Sequence, residues 1–183
     1  LILQKRTVLI LSLENIGNQA EELPLPMLTR YLIKDGIILD PPIRKKWHLL
    51  EHLTRHFCRD LPDALCDQIF ETVLNREMIV STGMGGGVAL PHARTNLIHK
   101  TSLLFARFKS GIEWCSFDGS PVHFLFLIIG PTASAEEYLF VLSKISKMLS
   151  RRQNRSRLRK TLSIDEIHRI FSDIPNRETA RKR

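Results

Sequence analysis

The run Ser81-Thr82-Gly83-Met84-Gly85-Gly86-Gly87-Val88-Ala89-Leu90-Pro91-His92-Ala93-Arg94 holds the residues best placed to do chemistry. Four glycines in five positions free the backbone to take φ > 0 and to bring its N–H groups close to a ligand, an arrangement that suits an anion such as phosphate. Val88-Ala89-Leu90 reads as a short buried strand, so that His92 emerges at its end behind the rigid Pro91, as a candidate nucleophile or ligand. The same letters also describe a glycine-rich turn ahead of a strand with an incidental histidine.

Several elements must bring partners to this run. Leu32 to Leu39 forms a short helix or strand that Asp40-Pro41-Pro42 stops. Ile43 to Phe57 reads as a helix with Ile43, Trp47, Leu50, Leu53, Thr54 and Phe57 on its buried face. A second helix starts at Asp60-Leu61-Pro62-Asp63, buries Ala64, Leu65, Ile69, Val73 and Leu74, and ends at Asn75-Arg76-Glu77. It delivers Arg76 to the edge of the glycine loop. Leu103 to Phe108 and Val122 to Ile129 read as strands of a buried sheet, separated by a loop around Gly111 and Asp118-Gly119-Ser120-Pro121. Ser134 with Glu137 and Ser163 with Glu166 have the capping-box form that opens a helix. The first of these helices turns Leu139, Leu142, Ile145 and Leu149 to the core, and the second buries Ile164, Ile167, Ile170 and Phe171. The alternation implies a single α/β domain.

Composition narrows the function classes. The chain has 183 residues, 43% hydrophobic and 25% charged, which is ordinary for a globular domain. No apolar run nears the roughly 20 residues of a membrane span, so no membrane insertion is expected. The chain lacks an initiator Met and is expected to be a fragment or a processed form. Residues 1–28 read as a leader or linker of unknown role, with Val8 to Leu13 as a candidate edge strand and Pro24 and Pro26 enforcing extension. Cys58, Cys66 and Cys115 have neither pairing parity nor metal spacing, which fits a reducing cytoplasm. His48, His52 and His56 recur every four residues and line one helix face, as metal ligands or as a solvated polar face.

The net charge of +8 is local. Residues 151–183 hold 11 basic and 4 acidic residues, whereas residues 1–150 hold 16 and 15. Six of the basic residues lie between Arg151 and Lys160, a run read as a solvated helix-to-helix connection. Nucleic-acid binding there is the weaker reading, because neither a helix-turn-helix signature nor interleaved aromatics accompanies the charge. Residues 177–183 form a basic tail.

Glu77, six residues, Met84-Gly85, two residues, and Val88-Ala89-Leu90-Pro91-His92-Ala93 together resemble the active-site signature of the enzyme IIA domains of the fructose, mannitol and nitrogen-related phosphotransferase systems. The resemblance extends over about residues 29–176, through Arg76-Glu77, Ser81-Thr82-Gly83, the Asp118-Gly119-Ser120-Pro121-Val122 turn and Leu142-Ser143, with the nitrogen-related branch nearest. It implies a mixed, mainly five-stranded sheet between helical layers. It also implies that His92 receives phosphate from a phosphohistidine on the carrier HPr or its nitrogen-branch counterpart, with Arg76 beside it. Members commonly carry a second histidine near the first; Tyr138 takes that place here, which puts turnover in doubt. Gly86 replaces a frequent asparagine.

Phosphoryl transfer between imidazoles needs a neutral nitrogen, aligned partners and positive potential, but no metal and no cofactor. The backbone N–H groups of Gly83, Gly85, Gly86 and Gly87, the hydroxyls of Ser81 and Thr82, Arg76 and, ranked lower, Arg94 are the expected phosphate-binding groups. Two functions follow: a phosphohistidine relay through His92, or a regulatory module that binds target proteins through the same surface. A metal-dependent hydrolase is disfavoured, since no second ligand stands at metal spacing from His92.

Overall fold

The computed structural model describes residues 27–172. The leader, its candidate strand and the basic tail lie outside the described residues. After a 3-10 turn at Leu28–Arg30 come β1 (Leu32–Leu39), α1 (Lys46–Phe57), α2 (Asp63–Ile79), β2 (Gly83–Gly85), β3 (Val88–Ala89), β4 (His92–Arg94), β5 (Ser102–Ile112), β6 (Val122–Gly130), α3 (Ala135–Ser150), α4 (Arg152–Lys160) and α5 (Ile164–Ser172).

Six strands form one mixed sheet in the order β1-β5-β6-β3-β2, with β4 also paired to β6. β5 and β6 are antiparallel, β1 runs parallel to β5, and β3 and β4 both run parallel to β6. Val88 and Ala89 pair with Phe124 and Leu125, and His92 and Ala93 pair with Ile128 and Ile129. Thus β3 and β4 are two pieces of one strand position, broken at Leu90-Pro91. The sheet is five positions wide although six strands compose it.

Alternation along β5 and β6 divides the interior in two. Leu103, Phe105, Phe124, Phe126 and Ile128 join Val141, Ile145, Leu158, Ile167, Ile170 and Phe171 from α3, α4 and α5. Leu104, Ala106, Phe108, Leu125, Leu127 and Ile129 join Leu49, Leu50, Leu53, Ile69 and Val73 from α1 and α2. A sheet covered on both faces must be apolar at consecutive positions, which explains the unbroken hydrophobic run of β6.

Several local expectations shift. α1 begins at Lys46, not Ile43, and Trp47 is exposed while Leu49 is buried. The reason is that Lys46 Nζ is held by the Trp114 carbonyl at 3.1 Å and by Glu77 Oε1 at 2.6 Å, which fixes where the helix starts and how it is rolled. α2 runs on to Ile79 and buries Cys66, Ile69, Val73 and Glu77, whereas Ala64 faces solvent. β5 continues through Gly111, whose φ of 76° carries the strand where a loop was expected, and whose missing Cβ leaves room for Pro121. In α3, Tyr138, Val141 and Met148 are buried, and Leu139 and Leu142 only pack at the margin. Ser134 makes no side-chain cap, and Glu137 Oε2 accepts instead from the Thr101 amide. Ser163 Oγ does accept from Glu166 N at the start of α5, while the Glu166 carboxylate pairs with Arg157 at 2.6 Å.

The basic run joins α3 to α5 and is largely exposed, as expected, but it is itself a helix with one packed side. Asn154 and Leu158, four residues apart, are buried on one side of α4, and Asn154 Nδ2 donates to the Met148 carbonyl. The arginines of this run are partly occupied: Arg155 binds the Leu149 carbonyl, Arg157 binds Glu166, and Arg159 approaches His123.

Candidate functional site

A cleft of about 430 Å³ opens at the outer edge of β4, lined by Thr72, Arg76, His92, Ala93, Arg94, Ala135, Tyr138 and Leu139. Three elements converge there. α2 lies on one face of the sheet and supplies Thr72 and Arg76, one turn apart. β4 supplies His92 and Arg94, which point the same way because they are two residues apart on a strand. The first turns of α3, on the other face, supply Ala135, Tyr138 and Leu139.

His92 is fixed by two hydrogen bonds. Its Nδ1 lies 2.8 Å from the Leu90 carbonyl and its Nε2 lies 3.0 Å from Arg76 Nε. A carbonyl only accepts and a guanidinium only donates, so this network assigns the proton to Nδ1 and leaves the Nε2 lone pair facing Arg76 and the cleft. Burial lowers the pKa of His92 from its ordinary value, against the opposing pull of the Leu90 carbonyl; Arg76 lowers it further and Glu77 raises it. The ring is therefore neutral at pH 7.

The Leu90 carbonyl is itself set by a chain of contacts. Lys46 pairs with Glu77, Glu77 accepts from the Thr82 amide at 3.0 Å, and the Thr82 carbonyl accepts from the Leu90 amide at 3.1 Å. Glu77 follows Arg76 directly, so the same helical turn that aims the guanidinium at Nε2 also anchors the loop that pins Nδ1. Arg76 Nη1 additionally donates to the Val80 carbonyl at 3.0 Å.

Tyr138 packs against His92 with ring centroids 5.6 Å apart and planes tilted by 56°. Its residue is 7% exposed, and its hydroxyl is buried without a hydrogen-bond partner among the described residues. Burial raises its pKa well above that of an ordinary phenol, opposed by Arg76 and Arg94. The hydroxyl is a neutral donor.

The structure brings His92, Arg76, Arg94 and Tyr138 together. It does not bring Ser81, Thr82, Gly83, Gly85, Gly86 and Gly87 into the cleft. Ser81 Oγ donates to the Trp114 carbonyl, Thr82 Oγ1 accepts from Trp114 Nε1, and the Gly86 amide donates to Asp118 Oδ2 at 2.8 Å. Gly85, Gly86 and Gly87 all have positive φ, which turns the chain tightly between β2 and β3. Gly87 passes close beside His123, where a Cβ would sit 3.3 Å from its ring.

Lys46, Glu77 and Thr72 belong to the site region without having been singled out as site residues. Thr72 stands four residues before Arg76 on one helix, a spacing readable in the sequence. Lys46 meets Glu77 across 31 positions, for which no local signal exists. Among the described residues, no group of three or more His, Cys, Asp or Glu is arranged to hold a metal ion. In the helical stripe, His48 and His52 are exposed and His56 Nε2 lies 3.0 Å from the Asp35 carbonyl.

The molecule is thus a three-layer α/β sandwich whose one histidine–arginine pair in an edge cleft bridges strand and helix. Residues 30–174 match the family described as phosphoenolpyruvate-dependent sugar phosphotransferase system, EIIA 2, and the chain belongs to that family. A nitrogen regulatory protein of Pseudomonas aeruginosa is 32% identical over 149 residues, which cover 81% of this chain and 97% of that protein. A fructose-specific EIIABC component of the phosphotransferase system of Bacillus subtilis is 38% identical over 147 residues, 79% of this chain but 23% of that longer protein. The crystal structure of nitrogen regulatory protein IIA-Ntr from Neisseria meningitidis superposes with a TM-score of 0.71 at 30% identity, covering 78% of this chain and 97% of that one. The family resemblance and the fold read from the sequence agree with these matches. Among the described residues, no helix is long and apolar enough to cross a membrane.

Proposed function

We propose that the protein is a phosphohistidine carrier: His92 Nε2 accepts a phosphoryl group from a phosphohistidine on an HPr-like carrier and passes it on or reports its level. The observation that carries this reading is the fixed ring, with Nδ1–H on the Leu90 carbonyl and the Nε2 lone pair at the mouth of the cleft. The donor N–P bond breaks as the Nε2–P bond forms, and the donor imidazole leaves with the electron pair. His92 keeps its Nδ1 proton throughout, so the step needs no external base and no cofactor.

Arg76 Nε must leave the lone pair when phosphorus approaches. Its guanidinium then lies beside the phosphoryl oxygens, with Arg94 on the same side of β4 adding positive charge. The phosphate-binding part of the loop from Ser81 to Gly87 is indirect on this reading: it places Leu90, and Leu90 places the ring.

Incubation with phosphoenolpyruvate, enzyme I and HPr tests the relay. We expect an acid-labile phosphate on His92, identified by tandem mass spectrometry. Label in the wild-type chain no greater than in a His92→Ala control removes the reading.

Tyr138 favours a second reading, in which the domain is a regulatory module that binds target proteins. It adds a neutral donor beside His92 where a second histidine would add a titratable one. Phosphorylation then serves as a change of surface charge.

A further inference from the structure

We propose that Tyr138 makes the phosphorylated state of His92 long-lived, by donating its hydroxyl to the phosphoryl group that Arg76 and Arg94 flank. This rests on the reading of His92 as the phosphoacceptor and concerns how that state is regulated.

The starting observation is the buried Tyr138 hydroxyl, unpartnered among the described residues. A buried donor without an acceptor is costly, and native folds keep few of them. Here the ring packs against His92, lines the cleft with Arg76 and Arg94, and lies in the field of both guanidiniums. An anion bound between those arginines supplies the acceptor that the hydroxyl lacks. A phosphoryl group on Nε2 stands at that place.

Position on α3 supports the same conclusion. Tyr138 is in the first turn of a 16-residue helix whose start, at Ala135, forms part of the cleft wall. Unbonded amides at a helix start favour negative charge. Of the two acidic side chains of this turn, Glu137 is directed away to the Thr101 amide. Burial raises the pKa of the hydroxyl above that of an ordinary phenol, which keeps it a neutral donor at pH 7.

The effect on lifetime follows from the transition state. Loss of phosphate to water passes through a loose state in which the Nε2–P bond is largely broken. Water oxygen then bonds to phosphorus, Nε2 regains its electron pair as neutral imidazole, and the protons of water remain with the released phosphate and solvent. A fixed donor beside the compact dianion stabilises the ground state more than that dispersed state, so departure slows. Tyr138 acts as a latch.

The test uses the full chain phosphorylated chemically with phosphoramidate, which needs no carrier protein. Tandem mass spectrometry follows the loss of phosphate from His92, with phosphohistidine at exposed His48 and His52 as an internal reference. In Tyr138→Phe we expect the His92 phosphate to be lost about tenfold faster, the scale of one hydrogen bond to a charged group, while the reference sites are unchanged. The unphosphorylated Tyr138→Phe chain should unfold at the same or slightly higher urea concentration, because the hydroxyl it loses has no partner there. A lifetime within twofold of wild type overturns the proposal, as does an equal change at His48 and His52. If both phosphoramidate and the enzymatic donors leave His92 unlabelled, the phosphoacceptor reading fails and takes this inference with it. A labelled His92 with equal lifetimes overturns the latch alone.

Discussion

His92 combines a backbone-fixed proton with a depressed pKa, and the two have one measurable consequence. Burial disfavours the imidazolium most, and the Arg76 guanidinium at 3.0 Å adds to the effect. The unfolded chain, with a histidine pKa of about 6.5, therefore binds a proton in a pH range where the folded chain does not. Stability from this residue is fully present above the unfolded value and is lost as pH falls through the folded one. We expect ring ¹⁵N shifts at pH 7 to report the Nδ1–H tautomer, and a titration midpoint below 6.5. The urea midpoint should fall between pH 7 and pH 5 by more in the wild type than in His92→Gln; a ring titrating at or above 6.5 contradicts the account. At this scale the sequence was informative where the chemistry is local. Pro91-His92 and Arg76 before Glu77 could be recognised by type and order. The unsatisfied state of Tyr138 could not, because it depends on what surrounds one oxygen from three separate elements.

Elements position the site through contacts far apart in sequence. Lys46 opens α1, Glu77 lies near the end of α2, and their ion pair is almost wholly enclosed, with side chains 12% and 1% exposed. Glu77 then holds the Thr82 amide, and Thr82 holds Leu90. Lys46→Met leaves a buried carboxylate without its cation, and removing one partner of such a pair typically costs about 3–5 kcal/mol. We expect urea unfolding to show a loss of that order, and a change no larger than that of an exposed lysine substitution contradicts it. Here the sequence was only partly legible. Helix periods and the apolar strands gave the layers, since burial on both faces leaves continuous runs. The glycine loop reads locally as an anion cradle, yet the Gly86 amide is spent on Asp118, 32 positions away. The basic run reads as solvated until Asn154 and Leu158 are seen to share the inner side of α4.

Among the described residues, the basic helix and the candidate site are separate features. α4 carries its arginines on one region of the surface, whereas the cleft at the edge of β4 has Arg76 and Arg94 around one neutral ring. A dianionic phosphoryl group there cancels the positive field of the two guanidiniums. On the regulatory reading, the partners that pull-downs recover with His92→Ala and with the charge mimic His92→Asp should differ. Identical partners would exclude switching while leaving constitutive binding in place. The family and layer order were accessible from residue types because the signature spans one contiguous segment. The five-position width agrees with the mainly five-stranded sheet that the resemblance implied, whereas the sixth strand was not accessible, because two short strands share one position.

That shared position decides more than strand count. Between β3 and β4 the chain leaves the ladder for Leu90 and Pro91. The Leu90 amide turns to Thr82, the Pro91 carbonyl returns to Ile128, and the Leu90 carbonyl is released to the ring two residues on. In an unbroken strand that oxygen would belong to a neighbouring strand, and the imidazole would be free to exchange its proton between nitrogens. A gap in the sheet thus acts as a tautomer selector: which nitrogen of His92 keeps its lone pair toward the cleft is written in the backbone path, and re-laying the strand would move that lone pair without altering a single side chain of the cleft.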